Sequence, residues 1–128
     1  MGRSRWRRAA RGVAGLAAAG LVVAGAHGVG AHAFVTRSEP RTGATIVESP
    51  PMVRIWFDGP VEPLYARISV EDRNKRRVDK GDGRVSAGDP TLLEVALPPL
   101  PPGRYRVVWS VIARDGHPKE GSFSFLLK

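Results

Sequence analysis

All eleven prolines of this chain fall between positions 40 and 118, and no window of eleven or more residues in that stretch shows helical spacing. Proline removes a backbone donor and clashes inside a helix, so long helices are excluded there. What lies between the prolines and glycines alternates instead. Val53, Ile55 and Phe57 alternate with Met52, Arg54 and Trp56, and Ala66, Ile68 and Val70 alternate with Arg67, Ser69 and Glu71. A period of two marks a strand with one buried face. Leu93, Val95 and Leu97 make another inward row; Tyr105, Val107, Trp109 and Val111 share one face of the longest strand, and Phe123, Phe125 and Leu127 one face of the last. With a first strand near Phe34 to Arg37 and a weak one at Ile46-Val47, the count is about seven. The fold expected is all-β, an antiparallel Greek-key sandwich or barrel.

The N-terminal 31 residues follow a different pattern. Arg3, Arg5, Arg7, Arg8 and Arg11 precede an apolar run from Gly12 to Ala26, and small residues follow from Gly28 to Ala33. That three-part order is an export signal, and the run is shorter than the roughly 20 apolar residues a membrane span needs. Arg7-Arg8 leaves the twin-arginine route open beside the general one. Small residues permit cleavage after Ala31, which makes His32 the new N-terminus, or after Ala33, which discards it.

Residues 1–31 are therefore read as the signal and 32–128 as the exported domain. The whole chain carries 20 Lys+Arg against 12 Asp+Glu, a net +8; taking away the five signal arginines leaves 15 against 12, or +3. The basicity belongs mostly to the signal, so no nucleic-acid partner is expected. With 128 residues there is room for one domain, and with no cysteine there is no disulfide, zinc finger or thiol nucleophile.

The charged stretch from Glu71 to Arg84 mixes signs and turn residues and reads as a solvated hairpin tip, with Gly81-Asp82-Gly83 as a hairpin turn. Trp56 and Trp109 read as core or cover. No nucleophile motif, phosphate loop or paired-carboxylate signature stands out.

Histidine is scarcer than charge and says more. Beyond the signal only His32 and His117 remain, the latter in Asp115-Gly116-His117-Pro118. A terminal histidine offers its α-amine and ring Nδ1 to one ion, and Asp115 and His117 point to the same side if their segment is extended, while Gly116 permits a tighter turn if it is not. Three nitrogens and a carboxylate suit Cu(II). Taken alone, however, Asp-Gly-His-Pro is also an ordinary turn sequence.

The segment from His32 to Gly43 resembles the opening H-A-x-L-x-x-S-x-P-x-x-G of mature CopC-type copper resistance proteins. Phe57-Asp58-Gly59-Pro60-Val61-Glu62 is similar to that family's F-S-E-P-V-E. The stretch from Leu100 to Trp109, with Asp115 to Phe125, is similar to its closing L-P-x-G-x-Y-x-V-x-W and D-G-H-P-x-x-G-x-F-x-F. The resemblance implies an immunoglobulin-like or cupredoxin-like sandwich outside the cytoplasm. It implies one Cu(II) ion held by the amine and ring of His32, the ring of His117 and, more weakly, Asp115, with cleavage after Ala31. Gly59 stands where that family often has glutamate, and Ala113 where serine is common. Methionine-rich Cu(I) sites have no counterpart, and the membrane domain fused in some relatives is not expected, so a permease of the CopD type would be a separate chain.

The function expected is a monomeric, non-enzymatic copper carrier in buffering, transport or resistance. Two alternatives stand beside it. Polysaccharide monooxygenases also use an N-terminal histidine brace, but generally need a larger aromatic surface than this chain has length to build. A metal-free structural sandwich is the other, since a fold hosts many functions.

Overall fold

The computed structural model describes residues 33–128; His32 and the segment read as an export signal lie outside the described residues. Eight strands follow one another: β1 (Val35–Glu39), β2 (Thr45–Ile46), β3 (Met52–Phe57), β4 (Arg67–Glu71), β5 (Arg84–Ser86), β6 (Asp89–Ala96), β7 (Gly103–Ile112) and β8 (Pro118–Leu127). A single 3₁₀ turn, Pro63–Tyr65, precedes β4. The strands form two four-stranded sheets, ordered β1-β3-β6-β5 and β2-β8-β7-β4. Among the described residues no helix is long and apolar enough to cross a membrane.

The alternating rows read from the sequence are the ones that meet between the sheets. Val53, Ile55 and Phe57 of β3 and Leu93 and Val95 of β6, with Leu97 just beyond, face Ile68 and Val70 of β4, Tyr105, Val107 and Val111 of β7, and Phe123, Phe125 and Leu127 of β8; all are buried. Trp109 packs against this core and meets Phe57 edge-on, with ring centroids 5.2 Å apart. It lies across β8 where its register partner is Gly121, because a Cβ there would stand 2.6 Å from the indole Cζ2. Trp56 faces outward under the Arg37 guanidinium, 3.8 Å from the ring centroid, and is cover rather than core. After the proline-rich corner before β7, the Tyr105 hydroxyl donates back to the Pro101 carbonyl, the device that fixes strand corners in immunoglobulin-type sandwiches.

Three features differ from the sequence reading. First, the three-residue β5 has no apolar alternation. It is held to β6 by Glu94, which lies between Arg54 (3.4 Å) and Arg84 (3.5 Å), and by Asp82, whose carboxylate accepts the Ala96 N–H. Second, β2 runs parallel to β8, an exception in an otherwise antiparallel set. Third, only the tip around Asp72–Arg76 is a hairpin turn, closed by Asp72 N–H to Arg76 O and followed by Val78 N–H to Val70 O. Gly81-Asp82-Gly83 instead belongs to a crossover into the other sheet, where Lys80 N–H already bonds Ala96 O. Asp79 sits at that crossing with its side chain fully buried, accepting from Val70 N–H, Gly81 N–H and the Arg77 Nε–H.

Candidate metal centre

β7 and β8 pair over ten residues, so the turn joining them, Ala113–His117, sits at the end of the longest ladder of the fold. Ala113 N–H donates to His117 O at 3.0 Å and Gly116 N–H to Ala113 O at 2.8 Å. Gly116 has a φ of +88°, a left-handed conformation that glycine adopts without a Cβ clash. That reversal folds Asp115 back onto His117. Its Oδ1 accepts the His117 backbone N–H at 3.0 Å, and its Oδ2 lies 3.0 Å from His117 Nδ1. The carboxylate is mostly covered while the imidazole is 70% exposed. A ring held through Nδ1 by a carboxylate presents Nε2 outward, the arrangement common among metal-binding histidines.

The segment after β3 ties this turn to the beginning of the described chain. Asp58 N–H donates to Phe34 O at 2.8 Å, and the Asp58 carboxylate accepts Phe34 N–H at 2.8 Å. Three residues later Val61 forms a bridge with Ala113, and Glu62 N–H donates to Ile112 O at 2.8 Å. Ala33, Val61 and Ala113 are all buried in the core, which gives Ala113 its reason to be apolar. Lys119, two residues past His117, places its Nζ 5.3 Å from the Phe34 ring centroid. Asp58 to Glu62 thus strap the residue two after His32 to the turn that carries Asp115 and His117.

The turn, not an extended segment, brings Asp115 and His117 together; His32 lies outside the described residues. Among the described residues no group of three His, Cys, Asp or Glu could hold a metal ion, so this pair does not by itself make up a metal site. Gly59 supplies no acid, but its neighbour Asp58 does. Sequence reading passed over that role, although the signal was a carboxylate standing where the resembling motif has serine.

Fold and turn together define a small two-sheet β-sandwich that presents an imidazole–carboxylate pair at the tip of its longest hairpin. The CopC domain family model matches residues 35–128, and the chain belongs to that family. It is 32% identical over 94 residues to copper transport protein CutJ of Bacillus subtilis, covering 73% of this chain but only 17% of that protein. Protein YobA of Escherichia coli is 28% identical over 97 residues, 75% of this chain and 78% of YobA. Among solved structures, CopC from Methylosinus trichosporium superposes with a TM-score of 0.70 at 33% identity, covering 76% of this chain and 94% of that one. PcoC, a methionine-rich copper resistance protein from Escherichia coli, superposes with a TM-score of 0.64 at 23% identity over 77% of this chain and all of that one, a likeness of fold.

Proposed function

We propose that the exported protein is an extracytoplasmic Cu(II)-binding protein that buffers the ion or hands it on. In this reading a peptidase removes residues 1–31, and the new N-terminal His32 contributes its amine and ring. His117 contributes its ring, and Asp115 either completes the set or holds the His117 ring in place. One ion is bound per chain, as cargo rather than as a catalytic cofactor.

The observation that carries the reading is the strap from Asp58 to Glu62. It bonds Phe34 at one end and the Ile112–Ala113 backbone at the other. His32 is two residues from Phe34, within about 7 Å of it along an extended chain. The names of the relatives, a copper transport protein and a copper resistance protein, support copper as the ion.

Intact mass of the exported protein tests the first step, since a mass beginning at His32 is required. Cu(II) titration should then give one tight equivalent with a nitrogen-rich electron paramagnetic resonance spectrum. Both His32→Ala and His117→Ala should weaken it; undiminished affinity in either overturns the ligand set. Metal-bound nitrogens must shed their protons, so occupancy falls as the solution is acidified.

A further inference from the structure

The outer face of the β2-β8-β7-β4 sheet carries a depression of about 560 Å³ that the metal reading leaves unused. Its floor is a register row of small side chains, Ser69 on β4, Val108 on β7 and Ser122 on β8. Arg67, Arg77 and Arg106 line it against a single acid, Glu120. Their guanidiniums have donors to spare among the described residues. Arg77 engages Asp79 through Nε alone, Arg106 gives one terminal nitrogen to Ser122 at 3.1 Å, and Arg67 uses one on the Leu64 and Ala66 carbonyls. Arg106 stands opposite Glu71 in register yet makes no ion pair with it. Guanidinium forks with free N–H groups match carboxylates in geometry as well as charge.

Towards the metal turn this depression shares Ser110 and Glu120 with a second one, lined also by Tyr65, Ile112, Pro118 and Lys119. Tyr65 and its neighbour Leu64 are among the few exposed large apolar residues of the molecule. From Arg106 to Ile112 the track runs along seven residues of β7, about 20 Å, the span of an extended heptapeptide.

We propose that this face docks an extended acidic segment of a partner polypeptide, its carboxylates over Arg67, Arg77 and Arg106 and an apolar side chain against Tyr65, Ile112 and Pro118. The partner is thereby seated beside the turn that carries His117. The purpose of such seating, handing on copper, rests on the function proposed above; the contact itself needs no metal. A polypeptide fits better than an anionic bilayer, because the cations surround a concave floor that a flat surface does not enter.

The test is a titration of the purified, isotope-labelled protein with a short synthetic peptide whose Glu residues and one terminal Val stand at every second position with Gly between, so that all face one side when extended, followed by nuclear magnetic resonance. Saturable shifts are expected at the Val108, Ser110 and Ser122 amides. They should collapse in about 0.5 M salt, where the screening length falls below about 5 Å. Both Arg67 and Arg106 are exposed, and the double variant Arg67→Glu/Arg106→Glu should weaken the peptide by about tenfold or more while leaving Cu(II) uptake unchanged. Absence of shifts at those amides, equal binding of the same peptide with Lys in place of Glu, or a response to phosphatidylglycerol vesicles but not to the peptide overturns the proposal. A separate Cu(II) titration keeps the two readings apart. Peptide binding without copper binding removes only the copper function, and copper binding without the peptide footprint removes only the docking face.

Discussion

Phe34 and Asp58 are bonded to each other twice, once backbone to backbone and once through the Asp58 carboxylate, both at 2.8 Å. The second bond holds the backbone two residues beyond His32. Asp58→Ala should therefore loosen the His32 end of the site without removing a donor to copper. Cu(II) affinity is expected to fall about tenfold, near the 1.4 kcal/mol that one charge-assisted hydrogen bond supplies. The paramagnetic resonance spectrum should keep its nitrogen pattern, and Asp58→Asn, which retains an acceptor, should recover most of the affinity. Equal affinity in wild type and Asp58→Ala would show that the strap does not position the histidine.

Asp115 contacts His117 through both carboxylate oxygens. Removing it in Asp115→Ala leaves the imidazole free to rotate, and copper affinity should drop about 10- to 100-fold, as for other groups that orient metal ligands. The loss should exceed that in Asp58→Ala. Isothermal titration with a competing chelator measures both.

Asp79 makes stability depend on acid. Burial opposes its charge, but the hydrogen bonds from Arg77, Val70 and Gly81 outweigh that cost and hold the carboxyl below its ordinary range. An unfolded aspartate titrates near 3.9. Because the folded value is lower, the stabilisation is present above about pH 4 and is lost as pH falls through the folded value. Asp79→Ala leaves two backbone N–H groups without their acceptor and should cost about 2–4 kcal/mol at neutral pH. The gap from wild type should narrow below about pH 4, which urea unfolding at several pH values reads directly; a gap that stays constant with pH would refute the linkage.

Gly121→Ala tests the seat of Trp109. The new Cβ would lie 2.6 Å and 2.9 Å from two indole carbons, so the ring or the strand must move. A cost of about 1–3 kcal/mol is expected, lowering the melting temperature by about 4–8 °C for each kcal/mol. Trp109 fluorescence should shift with it, while Gly88→Ala, at a glycine with open space around the added methyl, should cost far less.

The core rows were legible because burial on one face forces a period of two. Every apolar residue of the Val53, Ala66, Leu93 and Phe123 rows is buried, and Trp109 sits half-covered among its row. β5 was not legible, since Arg84–Ser86 is defined by its partners Glu94, Leu93 and Asp89 on β6 rather than by its own pattern. The first half of β8 was missed for a related reason. Lys119 to Ser122 carries no apolar side chain, and only the pairing of Pro118–Ser122 with Val108–Ile112 makes this stretch a strand. At the site, the Asp-Gly-His-Pro signal announced the turn, whereas the bond between Asp58 and Phe34 joins residues 24 positions apart that no local pattern connects.

β8 lies between β2 and β7, and β2 has no other strand to pair with. The sheet ending in β5 can be assembled from residues up to Ala96, but its counterpart has an empty middle until residues 118–127 arrive. The strand that follows the histidine turn is therefore the keystone of its sheet: without residues 118–127, β2 has no partner strand and β7 is paired on one side only.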